Sequence, residues 1–260
     1  MPLLELHDVV AGYGPVPTLD GLALAVDAGT VVAVVGRNGA GKTTLLRAAA
    51  GLLRPRRGRV TVDGHDLATL SVRAAARLVS GVPQDDAVEA PFRVREVVAL
   101  GRLAHVSPWR APGAADDAAV ADALAATDLV ALADRRVDAL SGGERRRVAV
   151  ARCLAQGAPL LLLDEPTAHL DLGQEARLLA VVRRLARERG RAVVAALHDV
   201  NLAAAFADRV LLLDAGRVVA DGPPADVLTA SRLSALFGLP LRVVADPERG
   251  VPIVVPGAAP

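Results

Sequence analysis

The stretch Gly36-Arg-Asn-Gly-Ala-Gly-Lys-Thr43 fits the pattern G-x-x-x-x-G-K-[ST] at every fixed position. Lys42 is the only lysine among the 30 basic residues of the chain, and every other basic position is arginine. A compact ammonium group can reach two phosphates between crowded backbone amides, where a planar guanidinium is a poor replacement. The position of this lysine therefore indicates a site for the phosphates of a nucleotide.

The residues around this stretch predict a strand, a loop and a helix. Residues 31–35 are an unbroken apolar and β-branched run, typical of a strand buried on both faces. Gly36, Gly39 and Gly41 allow a tight turn that brings N–H groups against an anion. Residues 43–50 are predicted to form a helix whose N-terminus adds its dipole. The alternative, a structural glycine-rich turn, is disfavoured by the lysine and threonine.

Composition limits the classes of protein to consider. The chain has 260 residues, is 52% hydrophobic and has a net charge of +1, so a sizeable core is expected and a nucleic-acid partner is not. Its one cysteine, Cys153, excludes an intramolecular disulfide and is expected to be buried. No apolar run approaches the ~18 residues of a membrane span. The first residues, with Glu5 and Asp8, do not resemble a signal peptide, so we expect a cytosolic protein.

Strand and helix patterns alternate along most of the chain, which predicts a mostly parallel, layered α/β sheet with an antiparallel sheet formed by the first strands. An exception is 85–140, where Ala-rich segments such as 116–126 and a Pro/Gly break at 107–113 predict a helical insertion. Two apolar strands within 241–255 are predicted to form a hairpin. The other predicted strands are 3–10, 22–28, 58–63, 160–163, 192–197 and 210–213, and the main helices are 142–156 and 173–189.

Two further motifs bear on chemistry. Leu160-Leu-Leu-Leu-Asp164-Glu165-Pro166 is an apolar strand that ends in two carboxylates, which suit a metal ligand and a base that polarises water. Leu140-Ser-Gly-Gly-Glu144 opens a helix with exposed N–H groups, a second anion site. Solvated acids and ordinary helix capping are the structural alternatives. Two phosphate sites in one chain suggest that the second serves a nucleotide on another copy.

In order and spacing, these motifs resemble the ATP-binding subunits of ABC transporters over essentially the whole chain. The resemblance also includes Val82-Pro-Gln84, the His-Leu-Asp171 stretch and Leu197-His198-Asp199. Each motif alone is weak to moderate evidence, but the set is very specific. We therefore expect a P-loop α/β fold, as a single ATP-binding domain over 1–260. A helical subdomain would occupy roughly 85–157, and a C-terminal β-hairpin roughly 241–256.

The resemblance implies a role for each matching position. Glu165 would be the general base, and His198 would contact the γ-phosphate. The implied cofactor, Mg²⁺, would be held by Thr43, Gln84 and Asp164. The residues implied to bind ATP are Tyr13, Gly36, Arg37, Asn38, Gly39, Ala40, Gly41, Lys42, Thr43, Thr44, Gln84, Ser141, Gly142, Gly143, Glu144 and Asp171.

Some of these positions imply a second copy of the chain. Residues 141–143 would cover the γ-phosphate of ATP held by the opposite subunit, and Asp171 would cross the interface of a head-to-tail dimer. Gln84 would also sense the membrane partner. Tyr13 would stack on adenine, although packing in a glycine-bounded turn is an alternative. His169 replaces the serine usual in the family and is given no role.

The stretch from Phe92 to His105 indicates the subtype. It resembles the segment after the glutamine in importers of iron–siderophore, haem and cobalamin, with Ala104 in place of the usual proline. We expect a peripheral subunit on the cytoplasmic face of the inner membrane that powers a separate permease. A periplasmic or extracellular binding protein would be an indirect partner. Haem is the leading cargo, and siderophore and cobalamin are alternatives.

Other classes of protein fit less well. An ABC ATPase acting on ribosomes or DNA generally has two cassettes or a long coiled-coil insertion, whereas this chain has one cassette and no heptad stretch. A nucleotide-dependent switch without turnover would not need the complete Asp164-Glu165 pair. The arginine run 145–147 could suggest nucleic acid, but we interpret it as the solvated, partner-facing start of a helix.

Overall fold

A computed structural model describes residues 1–84, 91–106, 111–168 and 170–257. The expectation for His169 and part of the predicted break at 107–113 lie outside the described residues. The described strands are β1 Leu4–Ala11, β2 Leu19–Val26, β3 Val31–Val35, β4 Arg57–Val62, β5 His65–Asp66, β6 Val79–Val82, β7 Leu160–Asp164, β8 Ala192–Ala196, β9 Arg209–Asp214, β10 Arg217–Gly222, β11 Leu241–Ala245 and β12 Pro252–Pro256. The described helices are α1 Lys42–Ala49, α2 Val72–Leu78, α3 Val94–Ala99, α4 Ala114–Ala126, α5 Gly142–Gln156, α6 Leu172–Arg189, α7 Val200–Phe206, α8 Pro224–Val227 and α9 Ala230–Phe237.

The central sheet has the strand order β10-β9-β3-β8-β7-β6. All neighbouring pairs are parallel except β10 with β9. Every residue of β3, β7 and β8 is buried, as expected for parallel strands covered on both faces. Their carboxyl ends, at Val35, Asp164 and Ala196, therefore meet at one edge of the sheet, where ligands of α/β proteins bind.

A second sheet is antiparallel, with the order β2-β1-β4-β5. Its inner face joins β3, β7, β8 and α1 in one apolar cluster in which Leu45 of α1 is fully buried. The helix that follows the 36–43 stretch is thus packed between the two sheets. This arrangement confirms the expected fold class, a mostly parallel core sheet with an antiparallel sheet beside it.

The other face of the central sheet packs against helices. The buried positions of α5, among them Val148, Val150 and Leu154, share a cluster with α3, α4 and α6. In the described part of 85–140, the regular elements are helical, as the composition predicts, apart from one isolated bridge between Arg93 and Arg136. Arg146, near the start of α5, contacts the carbonyls of Gln84 and Asp164, so the first turns of this helix lie near the carboxyl ends of β6 and β7.

The chain ends in a hairpin formed by β11 and β12, paired antiparallel from Leu241 with Pro256 to Ala245 with Pro252. Strand β12 of this hairpin lies against α7. The side-chain amide of Asn201 donates to the Val254 carbonyl (3.1 Å) and accepts from the Val254 N–H (2.7 Å). One amide side chain therefore pairs with both backbone groups of a strand residue and fastens the hairpin to α7.

Candidate functional site

The 36–43 stretch connects β3 to α1 through a tight loop. Gly39 and Gly41 have φ angles of 80° and 106°, which residues with a β-carbon rarely adopt. A β-carbon at Gly36 would overlap the Leu213 carbonyl oxygen, so this position is restricted by close approach to β9. The loop thus needs glycine for conformation at two positions and for space at the third.

Lys42 is buried, with 6% of its surface exposed. Its Nζ donates to the carbonyl oxygens of Gly36 (2.9 Å) and Arg37 (3.2 Å), across the loop. Burial lowers the pKa of Lys42, and the nearby Glu165 and Asp164 carboxylates oppose that effect. The ammonium is thus held in place by two carbonyls that an anionic ligand can replace.

A cavity of about 350 Å³ opens beside Lys42. It brings the loop after β3 together with residues from four other places in the sequence. The residues that line it are Thr18, Asn38, Gly39, Gly41, Lys42, Thr43, Thr44, Gln84, Glu165 and His198. Except for Thr18, all were singled out from the sequence. Thr18 lies in the loop between β1 and β2, and no sequence motif in that loop indicates a ligand.

The two carboxylates at the end of β7 have different environments. Asp164 is buried, and its Oδ1 has no hydrogen-bond partner among the described residues. Burial raises the pKa of Asp164, and a hydrogen bond with the Thr43 side chain opposes the increase. A buried carboxylate oxygen without a partner, next to a threonine hydroxyl, is a donor set that fits a hard divalent cation.

Glu165 faces the cavity from an unusual backbone conformation, with φ at 49°. Its Oε2 accepts a hydrogen bond from the side-chain amide of Gln84 (3.0 Å). Its Oε1 lies 2.5 Å from Nε2 of His198, which is half exposed after the end of β8. The structure therefore brings the proposed base into contact with the two polar side chains named beside it from sequence.

The Leu140–Glu144 motif does not line this cavity. Ser141 is the N-cap of α5: its Oγ accepts from the Glu144 N–H (3.2 Å), and the Glu144 carboxylate accepts from the Ser141 N–H (2.7 Å). That second bond, above all, lowers the pKa of Glu144. Asp171 similarly caps α6, accepting from the Gln174 N–H at 2.8 Å. Within one copy, these residues therefore cap helices and do not reach the cavity beside Lys42.

Tyr13 also lies outside the cavity lining and is largely exposed. Its hydroxyl accepts from Arg47 (3.0 Å), and the guanidinium carbon lies 5.7 Å from the ring centroid. Arg47 belongs to α1, so this contact holds the Tyr13 ring near the loop of residues 36–43. Much of the ring surface remains exposed to solvent. That placement leaves the ring accessible to a flat ligand.

The interpretation of 145–147 as solvated is wrong for Arg146. Its guanidinium donates hydrogen bonds to backbone carbonyls of the two segments that contain Gln84 and Glu165. Arg145 donates to the Leu140 carbonyl of its own segment (2.5 Å). No spacing in the sequence distinguishes the middle arginine of the three, because its partners are main-chain groups far away along the chain.

Comparisons with known proteins agree on one family. Residues 19–168 match the family model described as ABC transporter. A hemin import ATP-binding protein of Nocardia farcinica is 50% identical, over 94% of this chain and 84% of that protein. The ferric enterobactin transport ATP-binding protein of Escherichia coli is 37% identical, over 97% and 93%. A cobalamin import ATP-binding protein of Halobacterium salinarum is 48% identical, over 92% of this chain and 59% of that protein.

Solved structures show the same architecture. One, assigned to an ABC transporter of metal-chelate type in an inward-facing conformation, has a TM-score of 0.86 and 30% identity, over 99% of this chain and 98% of that one. A dimeric bacterial ABC transporter cassette has a TM-score of 0.75 and 26% identity, over 85% and 98%. Within the described residues, no helix is both long and apolar enough to cross a membrane.

Proposed function

This chain belongs to the ATP-binding subunits of ABC transporters, and from that premise we propose that it hydrolyses ATP to drive haem import through a separate permease. The chain is an ATPase that works as a dimer with permease partners. The observation that supports its site assignment is that one cavity is lined by Lys42, Gln84, Glu165 and His198. This cavity places the candidate anion site at Lys42 beside the candidate general base, Glu165.

Binding of ATP would use the loop between β3 and α1. Backbone N–H groups of 36–43 and the N-terminus of α1 would surround the phosphates, and Lys42 would exchange its two carbonyl partners for phosphate oxygens. The exposed ring of Tyr13 would stack on the adenine. Since the ammonium is already held within the loop, it needs no large movement to meet the ligand.

The family implies a divalent metal, and we assign it as Mg²⁺. Thr43, Asp164 and Gln84 would hold it, because Asp164 has a buried oxygen without a partner among the described residues and lies beside the Thr43 hydroxyl. When bound, the ion would neutralise charge on the phosphates.

Hydrolysis would depend on Glu165. Its carboxylate would accept a proton from the water that attacks the γ-phosphorus, while the bond from the γ-phosphorus to the bridging oxygen breaks and ADP leaves. Gln84 and His198 each contact one oxygen of this carboxylate, so they fix its orientation before the substrate arrives. On ATP binding, His198 would turn its Nε2 to the γ-phosphate, which frees one carboxylate oxygen for the water.

The complete site would be formed by two copies. Ser141, Gly142 and Gly143 lie at the N-terminus of α5, outside their own cavity. The Ser141 hydroxyl and the N–H groups of the two glycines would suit the γ-phosphate of ATP on the second copy. Asp171, at the start of α6, would cross the same interface. A head-to-tail dimer would therefore enclose two ATP molecules.

The cargo is proposed from the relatives. The hemin import proteins of Nocardia farcinica and Streptomyces coelicolor are 50% and 48% identical to this chain, which favours haem. The cobalamin import relative at 48% identity makes cobalamin the second candidate. We place the protein on the cytoplasmic face of the inner membrane, attached through the permease, with a binding protein on the other side.

The test is uptake by the reconstituted transporter. We expect the protein to co-purify with a polytopic partner from membranes, and vesicles with both to accumulate haem in an ATP-dependent manner. Glu165→Gln vesicles are the matched control. Accumulation of cobalamin or a ferric siderophore, and not haem, would refute the cargo alone. Recovery with ribosomes and without a membrane partner would refute the transport function.

A further inference from the structure

Arg146 lies in the second turn of α5, and its guanidinium contacts segments that are distant in sequence. A guanidinium has five N–H donors in a fixed planar arrangement. In this structure its contacts comprise five backbone carbonyls: Nε donates to Pro166 (3.0 Å), Nη1 to Pro83 (3.1 Å) and Gln84 (3.2 Å), and Nη2 to Asp164 (2.9 Å) and Glu165 (2.6 Å).

These contacts surround a backbone conformation that needs support. Glu165 has a positive φ of 49°, in the left-handed region that residues with a β-carbon rarely adopt. Its N–H donates to the Ala196 carbonyl at 3.1 Å, and Arg146 donates to the carbonyls of Asp164 and of Glu165 itself. The peptide groups before and after Glu165 are therefore both held, and their orientation sets the direction of the side chain.

The same guanidinium also holds the segment of Gln84. Its bonds to the carbonyls of Pro83 and Gln84 fix the backbone from which the Gln84 amide reaches the Glu165 carboxylate. Lysine has three donors and glutamine two, so neither can reproduce this set. The contacts of Arg146 are thus directed at the main chain of the base and of its partner.

We propose that Arg146 is a positioning residue for ATP hydrolysis. It holds the left-handed backbone of Glu165 and the backbone of Gln84, so that both side chains meet at the cavity beside Lys42. The proposal rests on the proposed role of Glu165 as general base. Arg146 itself does not line the cavity, so it acts through the residues that do.

The first experiment separates positioning from ATP binding and from folding. Arg146→Gln should lower kcat at least about tenfold, since a displacement near 1 Å at a catalytic group has a large effect on rate. The Kd for ATP should stay within about threefold, because the phosphate loop is untouched. Arg146→Lys should lie between wild type and glutamine. The control is Arg184→Gln, which removes an arginine bonded to one carbonyl, that of Ala126, away from the site.

Three results would overturn the proposal: kcat of Arg146→Gln within twofold of wild type, an equal loss in Arg184→Gln, or a loss of ATP affinity that matches the loss of kcat. Thermal unfolding of each variant reports on folding. If the glutamine variant does not fold, Arg146→Lys supplies the same comparison, and a wild-type kcat there would refute the proposal.

A double-mutant cycle tests whether Arg146 acts through Glu165. Single-turnover hydrolysis in Glu165→Gln should fall by less than about twofold more when Arg146→Gln is added, because residues that act as a unit are non-additive. A further fall equal to that of the single variant would refute the coupling. Full activity of Glu165→Gln alone would refute the base itself, whereas an active Arg146→Gln beside an inactive Glu165→Gln refutes only this inference.

Discussion

Glu165 is the residue on which hydrolysis is expected to depend. Glu165→Gln keeps the shape of the side chain and one oxygen that can accept from Gln84, but it cannot accept a proton. We expect turnover to fall about 10²–10⁴-fold while ATP binding persists, measured by phosphate release and by nucleotide titration. The control is Glu188→Gln on the exposed end of α6. More than half of wild-type turnover would remove Glu165 from this role.

At the residue scale, the site residues that belong to short motifs could be predicted from the sequence. Lys42, Asp164 and Glu165 were named from local patterns, and Gln84 and His198 from the family resemblance. The structure places all five in or beside one cavity. The five-carbonyl contact of Arg146 was not predicted, because main-chain partners leave no pattern in side-chain identity. The left-handed backbone of Glu165 was missed for the same reason.

At the scale of elements, the bond pair between Asn201 and Val254 predicts a local stability effect. Asn201→Ala leaves both backbone groups of Val254 without that partner, at a cost of about 1–3 kcal/mol for the pair. We expect faster amide hydrogen exchange along β12, measured by mass spectrometry. Thr69→Ala, which removes a bond to the Asp66 carbonyl elsewhere, should leave β12 unchanged. Unaltered exchange in Asn201→Ala would contradict the fastening role.

Strongly patterned elements were the predictable ones. The predicted helix 142–156 matches α5, and 173–189 differs from α6 by one residue, since both have apolar periodicity and a clear cap. The strand β6 was missed because Ser80 and Gly81 interrupt its apolar run. The edge strand β10 was missed as well, since its burial is only partial.

At the scale of the whole molecule, shared sites predict complementation. In the proposed dimer each site takes Lys42 from one copy and Ser141 from the other. Homodimers of Lys42→Ala or of Ser141→Arg would therefore have no complete site, while their heterodimer would keep one. A randomly mixed 1:1 sample should therefore hydrolyse ATP faster than either variant alone, up to about a quarter of the wild-type rate if the sites are independent. The assay is phosphate release after subunit mixing, with wild type plus each variant as controls. Full activity of each variant alone would contradict the shared site.

The surface that the permease uses is predicted from a second cavity, of about 420 Å³, between α1, α2 and β6. Its lining is mainly apolar and extends to Gln84, and Val72 and Leu52 are highly exposed there. We expect Val72→Asp to reduce co-purification with the permease at least about tenfold while basal ATPase stays near wild type, because burial of an unpaired carboxylate opposes docking. Val219→Asp, an exposed change on β10, is the control. Unchanged co-purification would place the docking surface elsewhere.

The single lysine has a consequence for labelling. Apart from the amino terminus, the ammonium of Lys42 is the only primary amine that the chain offers, and it is enclosed by two carbonyls in the phosphate loop. An amine-selective acylating reagent can therefore modify one internal position, and that position is the one that a bound phosphate would shield. A fall in the mass added at Lys42 when ATP is present would report the fraction of copies that hold nucleotide, without an engineered probe.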